Sequence, residues 1–277
     1  MRDLILTRLK DKGYNVEPYD AINNGVTKKG IKLSGTSASA VIYPADYKTV
    51  REAMHVAETI FSQDQPNIDV NFLTSWEYIK EHVILCVQKK SNEPIEKEDY
   101  LDFECYMRIL IDDLGSCKIT RRLMEKLSAE GISADEVWER AYLNTKKDVR
   151  THDVSFFMSG IKLLIATDPE NAEKYNNVIN NCPFIILHTM RPYYGAAAIL
   201  YTSKLIELSE SWNSDIVVFP SSIHEVFIAP ITNDDGNIDY YSEMVCEANA
   251  EAVSEDERLS NHAYILRKGS TELEIIS

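Results

Sequence analysis

The sequence predicts an α+β fold: a mostly antiparallel sheet built from two hairpin-helix (ββα) units, with additional helices. Strand-like segments come in pairs joined by short Gly-containing turns, and helical segments follow them in blocks instead of alternating with single strands. No Pro/Gly/Ser-rich tract interrupts the 277 residues. We therefore expect an N-terminal half (1–150) and a C-terminal half (151–277) packed as one compact unit.

The first elements are a β-hairpin and two helical segments. Asn24-Gly25 lies between short alternating segments, which is typical of a tight antiparallel turn, and β-branched residues follow up to Pro44. Apolar residues then recur at helical spacing from Val50 to Phe61. The segment from Phe72 to Gln88 is either a second helix or a helix that runs into a strand.

The first hairpin-helix unit starts with alternating apolar residues from Phe103 to Ile109, and an Asp-Asp-Leu-Gly turn and a short return strand follow. Thr120 then has the position of an N-cap residue for the next helix. Ser133 and Glu136 have capping-box spacing for a further helix. The sequence therefore predicts a hairpin followed by two capped helices.

The second hairpin-helix unit has the same predicted order of elements, but one of its segments has two possible assignments. "PFIILHTM" is a strand, "RPYYG" a turn, and "AAAILYT" a return strand or the start of a helix that continues through "SKLIELSESW". Two apolar strands then flank Pro220 to Ser222, as is typical of the centre of a sheet. An acidic helix and a hairpin turned at Lys268-Gly269 close the chain.

Composition indicates a globular cytoplasmic protein. The formal net charge is −15, so nucleic acid and anionic membrane surfaces are disfavoured as partners. The five cysteines form no CxxC pair, which indicates reduced thiols. The first apolar run is too short for a signal peptide, and no later run approaches the length of a membrane span.

The segment from Asn233 to Glu257 contains nine carboxylates and no Lys or Arg. Such a run is either a solvated surface or a face that binds a basic partner protein. The partner-binding hypothesis assigns six residues to that face: Asp234, Asp235, Asp239, Glu243, Glu247 and Glu251.

The stretch "PSSIHEV" places two hydroxyls, an imidazole and a carboxylate between apolar strands. Side chains alternate along a strand, so His224 and Glu225 are expected to point to opposite faces, and no G-x-S-x-G elbow exposes a nucleophile. The structural interpretation is a turn whose hydroxyls satisfy backbone groups. The catalytic alternative has five candidate residues: Ser221, Ser222, His224, Glu225 and Asn249.

Other motifs are weaker. The remaining histidine and acidic pieces, among them His152-Asp153, His188 and His262, have neither HExxH nor H-x-H spacing, so we predict no metal site. The sequence contains no Walker A loop or Rossmann fingerprint, and we predict no cofactor.

A resemblance to a known family extends over several stretches, one of them from Glu98 to Thr145, and is most specific in four short segments. These are the Asn-Asn-Gly segment, "GAAAILY", "PSSIHEV" and "EANAEAVSEDERLSNHAY". Together they resemble domain of unknown function family 5688, an uncharacterised bacterial family found chiefly in Firmicutes, over nearly the whole chain. The hairpin-helix units look, at lower specificity, like the uncharacterised YtpQ-like proteins. The resemblance implies a bacterial or phage-borne intracellular protein and transfers no activity.

Two functions follow as hypotheses. The first is a non-enzymatic protein-binding or regulatory module with an acidic surface, because no complete catalytic constellation is recognisable. The alternative is a hydrolase-like enzyme that uses Ser221 or Ser222 with His224.

Overall fold

The computed structural model describes residues 1–35, 39–63, 69–111, 115–153, 184–191, 193–220, 222–231 and 237–277. Contacts divide the chain into a first unit, Met1–Ile79, and a second, Lys80–Ser277. Strands and helices of both units confirm the α+β class, and the strand pairs are antiparallel. The halves 1–150 and 151–277 stay a prediction.

The first unit packs a β-hairpin against two helices. Asn24 and Gly25 both have positive φ, 50° and 74°, so they form the predicted turn between β1 and β2. Thr49 caps α2 by accepting a hydrogen bond from the Glu52 N–H at 3.1 Å. Its elements are α1 (Arg2–Asp11), β1 (Val16–Asn23), β2 (Val26–Leu33), β3 (Val41–Ile42), a 3-10 turn (Pro44–Asp46), α2 (Val50–Phe61) and α3 (Val70–Leu73).

Helix α1 was not among the predicted elements. It places Ile5 and Leu9, four residues apart, in a core with Ile31 of β2 and with Ala53 and Ala57 of α2. The small alanines of α2 leave room for the two helices to approach each other. The four-residue spacing of Ile5 and Leu9 puts both side chains on the face of α1 that contacts this core, so a narrow apolar stripe is enough to hold the helix.

The second unit begins with a four-stranded antiparallel sheet. Helix α4 (Trp76–His82), in which the first unit ends and the second begins, leads directly into β4 (Val83–Lys89). The segment from Phe72 to Gln88 is therefore a helix that runs into a strand, as one of the two predicted alternatives had it. The sheet has β6 (Phe103–Leu110) between β4 and β5 (Lys97–Tyr100), and β7 (Ser116–Lys118) also pairs with β6. The β6–β7 pairing confirms the first predicted hairpin, although three of its turn residues, 112–114, lie outside the described ranges.

The two predicted capped helices follow this hairpin. Thr120 Oγ1 accepts a hydrogen bond from the Leu123 N–H at 3.2 Å, and Ser133 Oγ accepts one from the Glu136 N–H at 3.2 Å. These contacts confirm both N-cap predictions. The helices are α5 (Arg121–Ala129) and α6 (Ala134–Lys146).

The rest of the second unit is built on a six-stranded antiparallel sheet in the order β13-β12-β10-β11-β9-β8. Its centre, β10 and β11, consists of the two apolar strands that flank Pro220 to Ser222, as predicted. The last hairpin, β12–β13, is also confirmed. The strands are β8 (Val149–Asp153), β9 (Ile185–Thr189), β10 (Ile216–Phe219), β11 (Val226–Pro230), β12 (Tyr264–Leu266) and β13 (Leu273–Ile275).

The second hairpin-helix unit differs from the first in one element. Residues Gly195–Leu200 form a 3-10 helix, so the helical alternative describes "AAAILYT" and the return strand is absent from this described segment. Two α-helices complete the unit: α7 (Thr202–Trp212) and α8 (Tyr240–Glu251). The core between the sheets buries Val87, Phe103, Leu187, Tyr201 and Tyr264.

A buried network of charges crosses the four-stranded sheet. Glu104 on β6 is 2% exposed and pairs with Lys97 on β5 at 2.8 Å. Glu93 is 5% exposed and pairs with Lys118 on β7. Gln88 on β4 links the two pairs, because its amide group donates to Glu104 at 2.7 Å and accepts from Lys118 at 3.0 Å.

Candidate functional site

The turn between β10 and β11 is held by the hydroxyl of Ser222. Its Oγ donates to Glu225 Oε1 at 2.9 Å and accepts from the backbone N–H of His224 at 3.0 Å. Both contacts are local, and they satisfy polar groups of the turn itself. Ser221 lies outside the described residues. The structure thus brings Ser222 and Glu225 together.

The imidazole of His224 is directed toward other segments. Its Nδ1 accepts a hydrogen bond from the Tyr194 N–H at 3.3 Å, so Nε2 carries the proton and faces Glu257 Oε1 at 3.4 Å. The neighbouring Ile223 N–H donates to the Glu257 carbonyl at 2.9 Å. His224 therefore links three segments that are distant in the sequence.

Gly195 allows the 3-10 helix to approach this turn. A Cβ at Gly195 would lie 2.3 Å from the carbonyl oxygen of His224 and 3.2 Å from the backbone nitrogen of Thr189. Real side chains do not tolerate the first distance, so only glycine fits. Tyr194, which precedes it, has φ +63°, an uncommon conformation for a non-glycine residue. The next residue, Ala196, donates its N–H to the Ile223 carbonyl at 3.2 Å.

Two histidines pair on neighbouring strands of the same sheet. His188 Nδ1 lies 2.7 Å from the Thr189 carbonyl, which can only accept, so His188 Nε2 is left to accept from His152 Nδ1 at 2.8 Å. Burial lowers the pKa of His188, and the nearby His152 lowers it further, while the Thr189 carbonyl and Glu225 act in the opposite direction. The lowered pKa favours the neutral form of His188, which allows its Nε2 to accept the hydrogen bond from His152. Within the described ranges, no group of three or more His, Cys, Asp or Glu side chains is arranged to hold a metal ion.

A second polar cluster is centred on Asp102, in the turn between β5 and β6. Its Oδ2 accepts from Ser260 Oγ at 2.5 Å and from His262 Nδ1 at 2.9 Å, and its Oδ1 accepts from Tyr264 Oη at 2.6 Å. Burial acts to raise the pKa of the Asp102 carboxyl, but the hydrogen bonds from Ser260, Tyr264 and His262 lower it below its ordinary value. The carboxylate is therefore ionised and joins the two sheets of this unit.

Asn249 belongs to this second cluster and not to the β10–β11 turn. Its Nδ2 donates to the Ser260 carbonyl at 2.8 Å and to Asn261 Oδ1 at 2.9 Å. Its Oδ1 is buried and has no partner among the described residues. The contacts place Asn249 as a link between α8 and the segment that leads into β12.

The acidic residues fall into two groups. Asp239, which precedes α8, and Glu243, Glu247 and Glu251 within α8 are all exposed. They are spaced four residues apart, so they form a stripe along one side of the helix. Asp234 and Asp235 lie outside the described ranges. We refer to Asp239, Glu243, Glu247 and Glu251 as the acidic stripe.

The partners in these clusters that the sequence prediction did not name include Tyr194, Glu257 and Asp102. Glu257 lies inside the segment "EANAEAVSEDERLSNHAY", and Tyr194 lies in the turn just before "GAAAILY". Asp102 lies in the stretch from Glu98 to Thr145, which also carries the resemblance, but no local pattern connects it with His262, 160 residues further along the sequence.

The contacts of Ser222 lead to a first prediction. Ser222→Ala removes both hydrogen bonds of the turn, and we expect the free energy of unfolding to fall by about 1–2 kcal/mol in urea denaturation. Ser211→Ala, which changes an exposed hydroxyl on α7, serves as the control and is expected to change stability by less than about 0.5 kcal/mol. Hydrolysis of p-nitrophenyl acetate is expected to be equal in wild type and Ser222→Ala. A rate that depends on both Ser222 and His224 would contradict the structural role.

Similarity to known proteins is found at the level of a family. Among the described helices, none has the length and apolar character needed to cross a membrane. No curated protein and no solved structure matches the chain. The resemblance to the YtpQ-like proteins stays a prediction. A family model described as "Family of unknown function (DUF5688)" matches residues 3–268. The match covers nearly the whole chain, and the chain therefore belongs to this family of unknown function.

Proposed function

We propose that this protein is a non-enzymatic binding or regulatory module of the cytoplasm, and that the acidic stripe on α8 is the surface that contacts a basic partner protein. The observation that carries the proposal is the arrangement of the stripe. Four exposed carboxylates follow one another at one per helical turn, and no ion pair to them occurs among the described residues.

The C-terminal part of this arrangement is unfavourable for the isolated helix, whereas Asp239 and Glu243 lie at the N-terminal end, where the helix dipole favours negative charge. Like charges four residues apart destabilise a helix by a few tenths of a kcal/mol per pair. Glu251 is the last residue of α8, where the negative end of the helix dipole disfavours a further negative charge. A basic partner would relieve both effects, which supports a role for the stripe in binding.

The charge also predicts the kinetics of association. A one-sided negative surface attracts a positively charged partner and accelerates encounter, and added salt screens the attraction over about 8–10 Å. Nucleic acid and anionic membranes are repelled by the same charge. The cytoplasmic location is supported by Cys86, Cys105, Cys117 and Cys246, all of which are free thiols.

The hydrolase-like alternative, with Ser221 or Ser222 acting with His224, has weaker support. The partners of the His224 imidazole in the described part of the chain are Tyr194 and Glu257, while Ser222 is bonded to Glu225. A nucleophile would need the imidazole within hydrogen-bond reach of its hydroxyl.

Charge reversal tests the proposal. The probe is a fluorescein-labelled helical peptide with Lys at every fourth position and Ala and Gln elsewhere, which we call the basic peptide. We expect Glu243→Lys with Glu247→Lys to weaken its binding at least roughly tenfold, and an increase from 50 to 500 mM NaCl to do the same to wild type. Fluorescence anisotropy measures both effects.

The matched control carries two equal charge changes on other helices of the same unit, Glu125→Lys on α5 with Glu139→Lys on α6. Both residues are exposed. This variant has the same net charge as the stripe variant and is expected to bind more tightly than the stripe variant does. Equal affinity of the two variants would show that only net charge matters, and that result would reject the stripe as a binding surface.

A further inference from the structure

An apolar pocket of about 250 Å³ opens beside α8. Strands β10 and β11 form its floor with Phe219 and Phe227, and Phe184 meets both rings edge-on, at centroid distances of 5.5 and 6.3 Å. Mutual edge-to-face packing holds the three rings in place. Its described lining residues are Phe184, Phe219, Phe227, Met244, Val245 and Ala248.

The pocket has the size and chemistry of a socket for one large side chain. A cavity of about 150 Å³ lined by apolar residues accepts benzene, so this pocket has room for an aromatic ring or a long aliphatic chain. Its described lining contains no charged side chain. Met244 adds a flexible wall that adapts to different shapes. At the rim, Ala248 is exposed and is too small to close the opening.

The pocket and the acidic stripe are neighbours on the same helix. Met244 and Ala248 directly follow Glu243 and Glu247 in the sequence, and each step along an α-helix turns the side chain by 100°. The mouth of the pocket therefore runs along one side of the stripe. A segment that contacts the carboxylates would lie beside the pocket.

We propose that the pocket receives one large apolar side chain of an amphipathic basic segment, whose Lys or Arg residues lie along the acidic stripe. This inference rests on the proposed function and specifies the partner class. The occupant is identified by charge complementarity, because an apolar ligand without positive charge would form no ion pairs with the adjacent carboxylates. Recognition of an amphipathic helix by an apolar groove with charged borders is a recurring mode of peptide binding.

Binding of two peptides tests this inference. The first is the basic peptide defined above. The second, the anchor peptide, differs only by one Trp placed on the side of the helix next to the Lys row. We expect wild type to bind the anchor peptide at least roughly tenfold more tightly, because the Trp side chain leaves water on entering the pocket.

Filling the pocket should remove this gain. Ala248→Phe places a ring at the rim and is expected to give equal affinities for the two peptides. Ala129→Phe, at an exposed position on α5, is the matched control and should keep the full gain. Should Ala248→Phe fail to fold, Met244→Gln replaces it: this variant keeps the side-chain length, makes the wall polar and is expected to reduce the gain.

The outcomes separate this inference from the proposed function. Equal binding of both peptides to wild type, with stripe-dependent affinity, would reject the pocket and retain the acidic stripe. Absence of stripe-dependent binding by either peptide would reject the proposed function itself. A gain that persists in Ala248→Phe would place the anchor elsewhere and overturn the inference. A wild type that sediments as a dimer, with Ala248→Phe as a monomer, would identify a second copy as the occupant and would also overturn it.

Discussion

Replacing Gly195 with alanine is expected to lower the free energy of unfolding by at least about 3 kcal/mol, the upper end of the cost of overpacking. The added Cβ would lie 2.3 Å from the His224 carbonyl oxygen. Because the obstacle is backbone and not the end of a flexible side chain, relief requires the 3-10 helix to move away from the β10–β11 turn. Urea denaturation measures the loss.

The control for this substitution is Gly269→Ala in the β12–β13 hairpin. Gly269 has φ +82°, and nothing lies within 4 Å of the position of its Cβ. Its replacement costs only the backbone strain of a left-handed residue, about 1 kcal/mol. Equal losses in the two variants would show that the close approach of Gly195 to the turn does not limit stability.

Replacing Asp102 with asparagine is expected to lower the free energy of unfolding by about 2–4 kcal/mol at neutral pH. The carboxylate accepts hydrogen bonds from Ser260, His262 and Tyr264, and bonds to a charged acceptor contribute more than neutral ones. An asparagine amide turns an NH₂ group toward donors and leaves at least one of them unsatisfied. Asp99→Asn, which breaks an exposed ion pair with Lys90, is the control and should cost less than about 1 kcal/mol.

The pH dependence gives a second measurement for Asp102. Its pKa is lower in the folded protein than the ordinary value of 3.8, so the unfolded chain takes up the proton first as the pH falls. The stabilisation is therefore fully present above about pH 4 and is lost as the pH falls through the lowered folded pKa. Wild type should lose stability more steeply than Asp102→Asn in this range. Parallel curves would contradict the assigned role of the carboxylate.

Local signals predicted much of the fold. The Asn24-Gly25 turn, the Thr120 and Ser133 caps and the two central strands are as expected. Each depends on residues within a few positions of one another, so the backbone preference that determines the element is contained in the pattern itself.

The remaining features depend on contacts between distant segments. The 3-10 conformation of residues Gly195–Leu200 depends on packing against the backbone of Ile223 and His224. The local sequence "GAAAIL" does not predict this contact. The position of His224 likewise depends on Glu257, and that of His262 on Asp102. Side-chain alternation does not apply to His224 and Glu225, because both precede Val226, the first residue of β11, and their different partners follow from the turn instead.

The buried charges of the four-stranded sheet have a consequence for how its strands align. Lys97 on β5 contacts Glu104 on β6, and Lys118 on β7 contacts Glu93 and Gln88, only when the strands are in their native pairing. A slip of one residue would turn these charges into the apolar interior, where an unpaired charge costs several kcal/mol. Misalignment therefore costs this sheet more free energy than it would cost a sheet of purely apolar strands. The network selects a single alignment even where it adds little to net stability.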